Sequence, residues 1–155
     1  DMSRAFVKET DEVFDGLPDR PVSPHPNLVT RGGLALIEAE IARLREAFAS
    51  AREAGERSGI DAAARDLRYW TARRASAQVQ PPPADAETVR FGARVTLERD
   101  DGRRQTFRIG GEDEADPAAG LLSYVSPLAH ALMGRRAGDV VRAGRGDAEV
   151  LRIEV

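Results

Sequence analysis

An α+β chain, with an antiparallel helical hairpin followed by a small β-rich domain, is what the sequence predicts, and three observations predict it. Apolar residues recur at alternating steps of three and four through Leu34, Ile37, Ile41, Leu44, Phe48 and Ala51, the seam of one helix face. Gly55, Ser58 and Gly59 interrupt the pattern, which resumes at Ile60, Ala63, Ala64, Leu67, Trp70 and Ala77. A short turn between two helices makes them antiparallel neighbours, so the tip of a hairpin is expected near residues 55 to 60. Beyond three consecutive prolines, Pro81 to Pro83, the period falls to two, and Val89, Phe91, Ala93, Val95 and Leu97 alternate with polar residues. A strand with one buried face has that pattern.

The totals bound the function. A chain of 155 residues has room for one ordinary domain or two small ones. A net charge of -3 argues against coating nucleic acid through the overall field, because such proteins are strongly basic. There are no cysteines, so disulfides and thiolate metal sites are absent and a reducing cytoplasm is the natural compartment. No apolar run approaches the roughly 20 residues needed to span a bilayer. A soluble chain is expected, and no signal-peptide core is read at its start.

The elements follow in order. Residues 1–29 hold Pro18, Pro21, Pro24 and Pro26 with only scattered apolar residues, so an extended or disordered tail is expected, with Arg4 to Val13 either a helical turn or two or an adhesive tail that docks on the body. Thr30 is the N-cap candidate of the first helix, since its hydroxyl can accept from free backbone donors. The hairpin arm is assigned to 30–80, with Tyr69 and Trp70 as the packing anchor where it meets the β-domain. A proline-rich linker is assigned to 81–88, because three prolines form a stiff extended spacer. From 89 to 155, one strand runs from Val89 to Leu97, Asp100, Asp101 and Gly102 turn, and Thr106 to Ile109 return. Gly110 to Gly120 is an acidic loop and Leu121 to Val125 a third strand. Ser126 caps a short helix with Pro127 at its first position, Leu128 to Met133 continue it and Gly134 ends it. Val140 to Ala143 and Glu149 to Val155 close the set around Gly144, Arg145, Gly146 and Asp147.

Three blocks of this second half carry a resemblance. Gly111-Glu112-Asp113-Glu114-Ala115-Asp116, then Ser126-Pro127-Leu128-Ala129, then Gly138-Asp139-Val140-Val141 stand in the order and spacing of the C-terminal domain of the GreA/GreB family of bacterial transcript-cleavage factors. The hairpin is similar more loosely, through Leu28-Val29-Thr30, Ala51-Arg52-Glu53-Ala54-Gly55 and Ala77-Gln78-Val79. Residues 2 to 27 have no counterpart in the short N-termini typical of that family. The resemblance implies an FKBP-like C-terminal domain docked at the rim of the RNA polymerase secondary channel and a coiled coil entering that channel. It implies an accessory factor, not an enzyme, a monomer without a cofactor of its own that meets DNA and RNA only within the polymerase complex. Ser126, Pro127 and Leu128 become the polymerase-binding candidates. In such factors an Asp and a Glu at the hairpin tip help hold the polymerase's second magnesium ion, as a hard cation with several waters accepts one or two added carboxylates.

The chain departs from the family at that tip. The family reads Gly-Asp-x-Ser-Glu-Asn-Ala, where this sequence reads Gly55-Glu56-Arg57-Ser58-Gly59-Ile60-Asp61. Glu56 keeps a carboxylate at the first position, the second position is Gly59, and Asp61 could substitute from two residues further on. Arg57 between them opposes gathering a divalent ion. The first helix, taken as Leu34 to Ala54, is roughly 31 Å long at about 1.5 Å per residue, short for the family. The expected function is therefore a short-armed, Rnk-like regulator of elongation that binds polymerase without efficient stimulation of cleavage. The alternative is an active cleavage factor using Glu56 and Asp61, and a third reading is a scaffold of the same fold that binds something else.

Plainer readings stand beside these. Glu56 and Asp61 can be solvated turn residues, with Asp61 an N-terminal charge on the second helix. Glu112, Asp113, Glu114 and Asp116 lack the ligand spacing of an EF-hand and read as a solvated acidic loop. Arg65, Arg68, Arg73 and Arg74 form a basic stripe that can face an acidic channel or nucleic acid, or simply solvent. His25 and His130 lie far apart in the chain, and no phosphate-binding loop or nucleophile elbow is present, so no catalytic dyad has support.

Overall fold

The computed structural model describes residues 16–155, so the helical turn expected within Arg4 to Val13 lies outside the described residues. The chain divides into two compact units. In the described part, one comprises 16–24 with Ile37–Ser76, and the other His25–Leu36 with Ala77–Val155. The sequence reading drew a linker at 81–88; the division runs at Leu36/Ile37 and Ser76/Ala77, with Pro81 to Pro83 inside the sheet unit. Among the described residues no helix is long and apolar enough to cross a membrane.

The hairpin unit is built from α1 (Arg31–Ala54, 24 residues) from Ile37 onward and from α2 (Arg57–Ser76, 20 residues). The expected seam is its core: Ile37, Ile41, Leu44 and Ala51 of α1 are buried, with Ala63 of α2. At about 1.5 Å per residue, α1 is roughly 36 Å long and α2 roughly 30 Å. Ser58 and Gly59, expected in the turn, are already helical, so the turn consists of Gly55 and Glu56 alone. It can be that short because Gly55 takes φ +69° and its N–H donates to Arg52 O (3.2 Å) while Glu56 N–H donates to Ala51 O (2.9 Å). Those two bonds satisfy the last free carbonyls of α1 in a Schellman motif. Residues 16–24 have no regular secondary structure, as expected of a proline-rich segment, yet they are held against α2 by the ion pairs described below.

In the sheet unit, β1 (Leu28–Val29) and β2 (Gln78–Val79) form a parallel two-residue pairing. It is too short to leave a period in the sequence and was not expected from it. The main sheet has five strands, β3 (Arg94–Arg99), β4 (Arg104–Gly110), β5 (Leu121–Ser123), β6 (Val140–Ala143) and β7 (Gly146–Glu154), in the order β5-β4-β3-β7-β6. All neighbours are antiparallel except β4 and β5. A register shift between Thr96 and Leu97 bulges the β3–β7 ladder, which adds local twist. Strand β3 starts at Arg94 and not at Val89, because Gly92 turns the chain at φ +87°. Val89 is bonded to the loop after the short helix, accepting from Gly134 N (2.8 Å) and donating to Arg135 O (2.9 Å). Val89 and Ala93 are nevertheless buried, so the period recorded burial without regular pairing. Strand β5 ends two residues early and β7 begins three early relative to expectation. Helix α3 (Pro127–Leu132) lays Ala129 and Leu132 on the sheet, at 0% exposure, against Val95, Leu97, Ile109 and Val150.

The acidic loop between β4 and β5 departs most from expectation. Glu114 is not a solvated charge: its carboxylate accepts from Thr30 N (3.2 Å), Thr30 Oγ1 (2.6 Å) and Gly111 N (3.0 Å). Thr30 Oγ1 in turn accepts from Gly33 N (2.9 Å), as the expected N-cap of α1 should. The relay places a carboxylate at the positive end of the helix, where the free N–H groups and the dipole favour it. Gly33 makes room for it, because a Cβ at that position would stand 2.3 Å from Glu114 Oε2 and would have to displace the carboxylate.

The β3–β4 turn carries the expected Asp101. Its carboxyl is held below the usual carboxylate range, first by the backbone N–H of Arg103 and then by the Arg103 guanidinium, which lie 3.0 and 2.7 Å away. A carboxyl so lowered favours the folded state above its unfolded pKa and loses that contribution as pH falls through the folded value. NMR titration of Asp101 should give a midpoint below that of an unfolded Asp, and Arg103→Ala should move it upward; an unmoved midpoint would contradict the assignment.

Replacing Glu114 by Ala removes three hydrogen bonds and the brace on a helix cap, and should lower stability by about 2 kcal/mol. Urea unfolding followed by circular dichroism measures this, and a midpoint equal to that of the unaltered chain would show the staple to be energetically idle.

Candidate functional site

The hairpin tip is assembled from the end of α1 and the first turn of α2. Glu56 is the N-cap residue of α2, its carbonyl accepting the first helical bond from Ile60 N (3.0 Å). Its side chain is exposed and leans over that first turn, with Oε2 3.8 Å from the position a Cβ on Gly59 would take. A carboxylate there is favoured by the helix dipole.

Gly59 is where the two helices touch. A Cβ on it would stand 3.0 Å from the Ala51 Cβ, inside the normal approach of two methyl carbons, so a side chain at 59 would press on α1. Asp61 does not replace it. Its carboxylate pairs with Arg57 one turn earlier (3.5 Å), and five residues of helix turn it about 140° away from Glu56 at 100° per residue. The structure therefore does not bring Glu56 and Asp61 together. Among the described residues no group of three or more His, Asp or Glu side chains could hold a metal ion.

The basic stripe is broken up as well. Arg65 pairs with Asp66 (3.0 Å) and Arg68 with Asp19. Arg73 is buried at 1% exposure, while Arg74 is exposed. Tyr69 and Trp70 stack edge to face, centroids 5.2 Å apart. Arg20 of the N-terminal segment contacts them, its guanidinium lying 3.9 Å over the Tyr69 ring.

Ser126, Pro127 and Leu128 lie at the start of α3 in the sheet unit. Ser126 Oγ accepts from Ala129 N (3.3 Å) as the N-cap, Pro127 is exposed at the first helical position, and Leu128 packs against the core. Capping and packing account for the first and last, and Pro127 is the one offered to solvent. Sequence reasoning missed a cavity of about 720 Å³ in the sheet unit, walled by Leu36, Val79, Pro81 and Pro82 with Arg31 and Arg108 at its edge. Its walls come from four separate stretches of chain, so no local pattern signals it.

A helical hairpin followed by a five-stranded sheet unit with one short capped helix defines the class to which the comparisons point. The family model for the transcription elongation factor GreA/GreB C-terminal domain matches residues 84–155. The GreA transcription elongation factor of Ruegeria pomeroyi is 34% identical over 81% of this chain and 96% of its own length. The GreB of Neisseria meningitidis serogroup B is 44% identical over 58% of this chain, and the match spans 59% of that protein. A solved structure, GreA factor homolog 1 of Thermus thermophilus, is 21% identical with a TM-score of 0.41, covering 84% of this chain and all of its own. The chain belongs to the GreA/GreB family of transcription elongation factors. Membership makes it an accessory factor rather than an enzyme.

Restoring a side chain at the crossing should be costly while that position is packed. Gly59→Glu should cost about 1 kcal/mol against the gain in helix propensity, and adding Ala51→Gly should recover the loss beyond the sum of the single changes. Thermal melts of the two single variants and the double variant test this; strict additivity would show that the contact is not felt.

Proposed function

We propose that this protein is a regulator of elongation that binds RNA polymerase with its hairpin in the secondary channel and its sheet unit at the rim, around Ser126, Pro127 and Leu128. It modulates transcription without efficient stimulation of RNA cleavage. Family membership supports the polymerase as partner and the cytoplasm as its place of work. The observation that carries the second half is the tip itself, where Gly59 is packed on Ala51 and Asp61 is paired with Arg57.

A second magnesium ion needs carboxylates that converge on it, with the surrounding charge favourable. At the two family positions this tip offers one exposed carboxylate, Glu56, beside Arg57 in the chain. The residues do not fit the ion, and no cleavage step is assigned to them. The protein acts by occupying space that a competent factor would use, meets nucleic acid only through the polymerase complex, and works as a monomer with no cofactor of its own.

In a purified, backtracked polymerase complex the protein alone should leave the rate of RNA cleavage unchanged. Added to a cleavage-competent Gre factor, it should suppress that factor's stimulation in a dose-dependent way, and Glu56→Ala should suppress equally well. Faster cleavage with the protein alone, abolished by Asp61→Ala, would establish the active-factor alternative instead.

A further inference from the structure

Residues 16–24 lie on α2 through a matched set of contacts. Asp19 accepts from Arg68 Nε, Arg68 Nη2 donates to Leu17 O (3.0 Å), and Arg20 Nη1 reaches Asp66 Oδ1 (3.4 Å). The same Arg20 guanidinium lies 3.9 Å above the Tyr69 ring and 6.0 Å from the Trp70 ring. An acidic–basic dipeptide on the segment therefore faces a basic–acidic pair and an aromatic ring on the helix, in complementary order.

The attachment is light. Asp19 is 73% exposed and Arg68 49%, and ion pairs this exposed are weak and screened by salt. No apolar side chain of the segment is buried: Leu17 and Val22 are 40% and 50% exposed. Pro18, Pro21 and Pro24 fix much of the backbone in extended form, so little conformational entropy is lost on docking or regained on release. These weak contacts persist because the segment is tethered, which gives it an effective concentration on the order of millimolar.

We propose that Asp66, Arg68 and Tyr69 of α2 form a peptide-binding surface, and that residues 17–20 are its tethered, exchangeable occupant. The partner it fits is an extended protein segment carrying an adjacent acidic and basic residue in the order of Asp19 and Arg20. The carboxylate takes the Arg68 guanidinium, the cation takes Asp66 and the Tyr69 face, and the partner's main-chain carbonyl takes the second Arg68 donor. The intramolecular copy masks the surface until such a segment displaces it. This inference stands apart from the reading of the tip and does not depend on polymerase binding.

Trp70 is the chain's one tryptophan, so its fluorescence reports on this surface directly. The probe is a synthetic peptide of residues 16–24, added to the full chain and to a full-length variant with Asp19→Lys and Arg20→Glu, which repels its own segment. The variant should respond to the peptide at a concentration at least about tenfold lower than the unaltered chain needs, because the tethered competitor is gone. Arg68→Glu added to that variant should abolish the response. A peptide in which Arg20 is replaced by Glu should bind at least about fivefold more weakly. Equal binding of the two peptides would overturn the acidic–basic reading in favour of a general anion surface, and equal responses of variant and unaltered chain would overturn the masking.

The unaltered chain supplies a test independent of any variant. Raising the salt from about 0.05 to about 1 M should shift Trp70 emission and speed proteolysis within 16–24 while helicity is retained. No change in either would overturn the exchangeable attachment.

Discussion

The hydrogen-bond relay from Gly33 through Thr30 to Glu114 fixes how α1 begins. Four N–H groups at the start of any helix lack internal partners, and here a threonine hydroxyl and a carboxylate 84 residues away in sequence answer two of them, those of Gly33 and Thr30. The same carboxylate accepts from Gly111, so one side chain ties the helix start to the loop that follows β4. Close approach of this kind leaves no room for side chains, which explains why Gly33, Gly110 and Gly111 all crowd the carboxylate or Leu28. The conspicuously acidic loop is in this respect an internal fitting.

At the tip, packing and chemistry compete for one position. A two-residue turn brings the helices together within one turn of their ends, where Gly59 lies against Ala51. A side chain at 59 would require the Ala51 methyl to give by a few tenths of an ångström. Arg57 then neutralises the nearest remaining candidate, Asp61. A short turn held by backbone bonds and a contact made by small residues give a compact end to the hairpin, with the N-cap Glu56 exposed beside it.

Much of this was readable in the sequence, because the periods are strong where burial is one-sided. The α1 seam from Ile37 to Ala51, the Thr30 and Ser126 caps, the Asp101–Gly102 turn and the family blocks from Gly111 to Val141 each rest on residues close together in the chain. What could not be read depends on distant partners. The Glu114 staple needs Thr30, the two-residue pairing of β1 with β2 has no room for a period, and the strand expected from Val89 stops at Gly92 because buried spacing outlasts hydrogen bonding. The basic stripe failed for the same reason: Arg68 looks free until Asp19 is placed beside it, and Arg73 is a charge only its fold could bury. The Gly59 gap was visible at once, but its cause, Ala51 across the hairpin, was not.

The sheet order has a bearing on synthesis. Strand β7 follows the other described strands in sequence, yet it lies between β3 and β6 and supplies the one ladder β6 has among the described residues. Until residues 146–154 have left the ribosome, β3 presents one unpaired edge and β6 has no partner, whereas the hairpin, made of near-neighbour contacts, can form as soon as α2 emerges. The nascent chain thus passes through a stage in which the arm is complete and the sheet is half built, and the exposed edge of β3, with Val95 and Leu97 beside it, is what a chaperone would meet.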